Sequence, residues 1–191
     1  MRHRRRGKKL GRNPNHQRAL LRSLASALFL TERDAEFDPN PPKVKGRIIT
    51  TTPKAKEVRP LVEKCITIAR KGLEAQQAAA KFGTTAARGS EPWKAWRQSD
   101  KWNQWAQAMA PAVTARRRCI VLMGDKTAVK VLFDVVAPRF DGRPGGYTRI
   151  VKLPTVRLGD AGQKALLEFV GPRNRVKKKQ AEKPKFESAP A

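Results

Sequence analysis

The sequence predicts an α+β fold of two layers, in which helices pack on a small three-stranded mixed sheet. Three observations predict it. Apolar residues recur at helical spacing, as in Leu20, Leu21, Leu24, Ala27 and Leu28, and again in Val58, Leu61, Val62, Cys65, Ile68 and Ala69. A β-branched run, Arg47-Ile48-Ile49-Thr50-Thr51, follows directly on Gly46. Two further apolar runs, 147–153 and 165–170, are separated by a turn carrying Gly159-Asp160 and Gly162, the pattern of an antiparallel pair. At 191 residues the chain suits one domain with additions.

Residues 1–12 form a basic arm. It holds Arg2, His3, Arg4, Arg5, Arg6, Lys8, Lys9 and Arg12, and no carboxylate precedes Glu32. Such a segment repels itself and buries no core, so it is expected to be disordered when free. Asn13-Pro14 then reads as an N-cap followed by proline at the first helical position. The helix over 13–31 turns its leucines to a core and leaves Arg18 and Arg22, one turn apart, on the other side. His16 lies near its start and is expected to hydrogen-bond. Residues 32–46, with three prolines and a closing glycine, read as an excursion loop.

Thr52-Pro53 repeats the cap-then-proline signal and opens a second helix to about Lys71, with Lys54 in its first turn, Pro60 on its polar side and Gly72 as its stop. Residues 73–115 are rich in alanine and glutamine and carry Trp93, Trp96, Trp102 and Trp105. This stretch is expected to form a helical hairpin broken near Ser99, with the indoles making a satellite core in preference to stacking on bases, packed on each other, on the main domain or against a neighbouring protein. A helix continues through Arg116, Arg117 and Arg118 to Met123 and ends at Gly124. Asp125 caps the next, whose apolar arc is Ala128, Val129, Leu132, Val135 and Val136, and Pro138 is expected to stop it.

The run 138–150, PRFDGRPGGYTRI, sets Arg139, Arg143 and Arg149 among Gly142, Gly145 and Gly146 beside Tyr147. It lacks the GK[ST] ending of a nucleotide-binding loop. Its glycines let phosphates approach the backbone, and its arginines offer bidentate contacts. Residues 171–191 form a basic tail with no periodicity, expected to be flexible.

Lysine and arginine total 42 against 16 carboxylates, a net charge of +26. A charge this large opposes any compact state unless an anionic partner neutralises it. Nucleic acid is the first candidate. A membrane partner is not expected, because the arm carries neither apolar moment nor aromatic anchors and no apolar run of transmembrane length occurs. Cys65 and Cys119 are read as reduced thiols inside helix faces, and no spacing supports a metal site. No nucleophile stands beside a base and its orienter, so no catalytic residue, cofactor or small-molecule substrate is expected. Four basic segments remain: the arm, the face of the first helix, the glycine-rich loop and the tail. Arms and loops of this kind suit folded RNA. A DNA-compacting protein of the nucleoid type is the alternative that charge alone permits.

The stretches MRHRRRGKKLGRNPNHQRALLRSLASAL, IITTTPKAKEVRPLVEKCITIARKG, VLFDVVAPRFDGRPGGYTRIVKL and RLGDAGQKALLEFV, in that order, resemble the bacterial ribosomal large-subunit protein seventeen family. The resemblance implies a structural protein of the cytoplasmic ribosome. It would bind 23S rRNA, lie near the peptide exit tunnel region and touch neighbouring large-subunit proteins. It places the RNA-contacting arm on Arg2 to Arg12 and the glycine-rich loop on Arg139 to Arg149. Taken with the basic face of the first helix, the RNA contacts expected over the whole chain are Arg2, His3, Arg4, Arg5, Arg6, Lys8, Lys9, Arg12, Asn13, His16, Arg18, Arg22, Lys54, Arg139, Arg143, Gly145, Gly146, Tyr147 and Arg149. Residues 13–170 would be a single domain, in which 32–46 and 73–115 exceed the family's usual length. Gln17-Arg18 departs mildly from the family's opening.

Overall fold

The computed structural model describes residue 8, residues 10–36 and residues 38–171. The expected disorder of the free arm and tail falls on segments that lie, for the most part, outside the described residues.

Helix α1 spans Pro14–Leu30, and the Asn13 side chain accepts the Asn15 N–H at 2.8 Å as its N-cap. Ahead of the cap, the Gln17 amide donates to the Gly11 carbonyl at 2.6 Å and holds the end of the arm against the helix. Ala25, Leu28 and Phe29 are buried. At the other end the Thr31 hydroxyl donates to Leu28 O at 2.6 Å and accepts from the Gly46 N–H at 3.0 Å, closing the 32–46 loop on itself. Strand β1, Arg47–Thr51, runs without a linker into helix α2, Thr52–Ala80.

Helix α2 does not stop at Gly72. It packs antiparallel against helix α4, Asp100–Met123, and the two form one long hairpin. The Cys119 thiol donates to Cys65 O at 3.8 Å low in the hairpin, and Gly83 lies by Trp105 near its tip. Both cysteines are free and buried in the core; their mutual hydrogen bond and burial push the Cys65 thiol up, and the same bond draws the Cys119 thiol down. Gly72 lies between. A Cβ there would meet Ala115 Cβ at 2.9 Å and the Phe133 ring at 3.1 Å. The glycine is a point of close helix approach and not a cap, which is why the helix continues through it.

The tip carries helix α3, Glu91–Gln98, and the break at Ser99 is real: this residue ends α3 and begins α4. Trp96 and Trp105 meet edge to face at 5.6 Å between ring centres, and Arg97 lies over the rings of both Trp93 and Trp102. The indoles therefore form the expected satellite cluster, and each remains half-buried.

Gly124, at φ +78°, ends α4 in the left-handed conformation, and the Asp125 carboxylate caps helix α5, Lys126–Val131. The helix then widens into a π turn, Leu132–Val136, and continues as helix α6, Ala137–Arg139. Pro138 thus sits inside the last turn and does not stop the helix. The Ala137 N–H reaches back five residues to Leu132 O. That extra residue shifts the buried face, so Phe133 is buried in place of Val135, which is exposed.

Strands β2, Thr148–Val156, and β3, Gln163–Phe169, complete a sheet of order β1-β3-β2. The expected mixed sheet is antiparallel throughout. Strands β1 and β2 do run in the same direction, since Arg47 and Arg149 both align with Glu168. The apolar β3 slides between them and makes both pairings antiparallel. Its alternate residues Ala165, Leu167 and Phe169 are buried against the helices, which is why this strand takes the centre. Phe29, Phe140, Tyr147 and Phe169 interlock beneath it, with ring centres 5.1–6.1 Å apart in the Phe140–Tyr147 and Phe140–Phe169 pairs.

On an exposed helix surface, Gly→Ala stabilises by about 1 kcal/mol. At Gly72 the added methyl meets Ala115 and Phe133, and overpacking costs about 1–3 kcal/mol. Gly72→Ala is therefore expected to destabilise, and Gly72→Ala with Ala115→Gly to recover part of the loss. Urea unfolding checks the sign; a stabilised single variant contradicts the close-approach reading.

Candidate nucleic-acid interface

The glycine-rich loop is held by its own arginines. Arg139 binds Glu32 through two bonds of 2.7 and 2.8 Å, joining the end of α6 to the end of α1. The Glu32 side chain is only 7% exposed, and its hydrogen bonds raise the Arg139 pKa above its ordinary value. Arg143 folds back and donates to Gly145 O at 3.1 Å and Gly146 O at 3.0 Å. This curl requires positive φ at Gly145, +158°, and Gly146, +65°. The Arg143 carbonyl accepts from Arg70 and from the Tyr147 hydroxyl, which itself accepts from Arg70 at 3.0 Å. Tyr147 is 2% exposed, a core residue with its hydroxyl tied to the loop. Arg149 pairs with Glu168 on β3. One step along β2, the Thr148 hydroxyl donates to Glu63 of α2 at 2.9 Å.

Every arginine singled out in this loop thus has an internal carboxylate or carbonyl partner. These bonds shape the glycine-rich segment from within: the Arg139 fork fills the whole Glu32 carboxylate, the Arg143 fork fills two carbonyls, and Arg149 makes one bond to Glu168.

The exposed cations lie elsewhere. Arg12 and Arg18 face solvent and make no hydrogen bond or ion pair among the described residues. Arg22 is exposed and donates to Val121 O at 3.1 Å, setting its charge at the carbonyl end of α4. Arg18 and Arg22 form one wall of a groove of about 500 Å³, opposite Met123, Gly124 and Asp125. His16 is exposed and lies against Gly11, Asn13 serves as the cap of α1, and Lys54 is half-buried in the first turn of α2. Lys8 is exposed, while Arg2, His3, Arg4, Arg5, Arg6 and Lys9 lie outside the described residues.

Sequence reading passed over Lys56 and Lys152, which the fold brings to one groove with Lys8 at the start of α2. No local signal marks them. One is a charged position on a helix face and the other sits in a strand, and only the packing of α2 against the sheet makes them neighbours. Among the described residues no group of His, Cys, Asp and Glu is placed to hold a metal ion, and no helix is long and apolar enough to cross a membrane.

Comparison with known proteins gives a consistent result. The model of the family described as ribosomal protein L17 matches residues 20–170. The large ribosomal subunit protein bL17 of Rhodopirellula baltica is 60% identical over 187 residues, covering 98% of this chain and 89% of that one. The protein of the same name from Thermomicrobium roseum is 35% identical over 170 residues, covering 89% and 99%. That from Koribacter versatilis is 36% identical over 171 residues, covering 90% and 73%.

Removing one partner of a buried ion pair costs about 3–5 kcal/mol, and Arg139 is partly exposed, so Arg139→Ala is expected to cost roughly 2–4 kcal/mol. Arg18→Ala is expected to change stability by less than about 0.5 kcal/mol. Urea midpoints of the two variants test the assignment. Equal, small effects would mean that Arg139 is a surface charge like Arg18.

Proposed function

The chain belongs to the ribosomal protein L17 family, and on that premise we propose that it binds 23S rRNA as a structural constituent of the large ribosomal subunit. Its place is near the peptide exit tunnel region, in contact with neighbouring large-subunit proteins in the cytoplasmic ribosome. The role is structural, not enzymatic. The observation that carries the RNA reading is a net charge of +26 on a chain whose carboxylates number 16. That charge opposes compaction of the free protein and favours assembly against a dense polyanion, where each phosphate contact releases a condensed counterion.

The contacts divide by chemistry. The arm, from Arg2, His3, Arg4, Arg5 and Arg6 through Lys8, Lys9 and Arg12, supplies most of the phosphate neutralisation. Arg18 and Arg22 extend it along α1, with Asn13, His16 and Lys54 at its margin. The loop that carries Arg139, Arg143, Gly145, Gly146, Tyr147 and Arg149 enters the interface already shaped. Its internal bonds remove the ordering cost that a flexible loop would incur on binding.

Two outcomes test this reading. The protein is expected to remain with large subunits, in one-to-one amount, through sedimentation in high salt. Its affinity for deproteinised 23S rRNA should fall with salt at a log–log slope on the order of −6 to −7, for about eight neutralised phosphates. A slope near −1, or equal affinity for duplex DNA, would favour the DNA-compacting alternative or a decorative charge. Deleting residues 1–9 leaves the Asn13 cap and the Gln17–Gly11 bond in place. The truncated protein should therefore keep its melting temperature within a few degrees while losing subunit incorporation. Loss of the folded state on truncation would make the arm a packed element.

A further inference from the structure

Two open grooves meet at the start of α2. One, of ≈ 460 Å³, lies between Lys8, Thr51, Thr52 and Lys56 on one side and Lys152 and the β2–β3 turn on the other. The second, of ≈ 530 Å³, runs from Thr52 and Lys56 to Arg59, Arg149 and Ile150. Both include Thr52, Lys56 and Lys152, so they form one continuous trough along the junction of α2 with the sheet.

The charges around this trough fall into two sets. Arg157 is paired with Asp160, and its guanidinium holds that carboxyl well below the usual carboxylate range. Arg59 is paired with Glu63, and Arg149 with Glu168. Lys8, Lys56 and Lys152 are all exposed and make no hydrogen bond or ion pair among the described residues. The one carboxylate that lines the trough, Asp160, is thus matched to an arginine, and the three lysines stand around the same depression with no ion pair among the described residues. The start of α2 adds to the same field. Its first turn carries no acidic residue, and the Thr51 side chain makes no capping bond. The Thr52 hydroxyl is already engaged, donating to Gln163 O at 3.3 Å.

The lining selects among anions. No aromatic ring borders the trough, so bases have no stacking platform there. The unpaired donors are lysines, flexible point charges, and not the planar forks that clamp one phosphate or read a guanine edge. The trough is continuous, and Lys8 of the arm stands at its border. These features fit a chain of phosphates held without reading sequence.

We propose that this trough seats the sugar–phosphate backbone of an RNA strand, with Lys56 and Lys152 each meeting a phosphate and Lys8 leading the strand toward the arm. The proposal rests on the rRNA-binding reading and adds to it Lys56 and Lys152, beside the arm and the glycine-rich loop.

The test uses the full chain and deproteinised 23S rRNA, comparing K56Q/K152Q with K126Q/K130Q, which removes the same charge from α5. The trough variant is expected to bind about tenfold or more weakly near 0.1 M salt and to show a log–log salt slope shallower by about 1.5–2. The control variant should stay near the wild type on both counts. A trough variant that keeps the wild-type slope while the wild type binds steeply overturns the trough and leaves the rRNA reading intact. A wild type that does not bind 23S rRNA overturns both. Lysine acetylation of the wild-type complex reads the same site without a variant: Lys56 and Lys152 should be protected by RNA and Lys126 should not. Equal labelling of all three in the bound state overturns the proposal.

Discussion

Among the described residues Glu32 is the one charged residue that is buried, and three elements of the domain meet at its neutralisation. It stands just past the end of α1, where Arg139 reaches it from α6. Gly46 passes so close that a Cβ there would lie 2.7 Å from the Glu32 oxygen. The Gly46 carbonyl in turn accepts the Phe169 N–H at 2.9 Å and starts the pairing of β1 with β3. One carboxylate therefore links the first helix, the last helix and the central strand. A buried charge of this kind favours the one arrangement that pairs it, because any alternative leaves it desolvated and alone.

The scarcity of carboxylates gives this logic its reach. In a chain of net charge +26, each well-placed acid determines which cation is drawn inward. Glu32 takes Arg139, Glu168 takes Arg149, and Glu63 accepts from both Arg59 and Thr148. Arginine is suited to these positions because its fork can satisfy two acceptor atoms at once and it stays charged when half-buried. The outcome is a division of labour between the two cationic residue types. Arginines of the loop brace the junction of α2, α6 and the sheet, while lysines at the start of α2 stay in solvent.

The hairpin of α2 and α4 follows a different rule. Close contact at Gly72 lets both helices run on beyond the core as a single unit, and the tryptophans close its far end. The Trp96 N–H donates to Phe82 O at 3.0 Å, which satisfies a carbonyl left open where α2 ends. Arg97 stacks over Trp93 at 5.2 Å and Trp102 at 5.7 Å, so a cation covers indole faces that would otherwise meet water. The tip is thus stabilised locally, without contact with the main core.

What the sequence determined by itself is what local chemistry decides. Asn13-Pro14, Gly124 and Asp125 mark helix ends through capping, which needs only a few adjacent residues, and each stands where it was read. The break at Ser99, the three strands and the apolar faces of α1 and α2 were legible for the same reason. Tertiary structure decided whatever depends on a partner distant in the chain. Gly72 has the sequence signature of a stop, yet Ala115 and Phe133 make it a contact point. Pro138 and the π turn became readable only once Phe133 had a place in the core. The order β1-β3-β2 pairs β3 with a strand more than a hundred residues earlier in the chain, which no local signal reports. Most of all, the loop arginines look like free ligands until Glu32, Glu168 and the Gly145 and Gly146 carbonyls are brought within hydrogen-bond reach. A sequence states how many charges a chain carries, but which of them remain available to a partner is settled by the distances that folding creates.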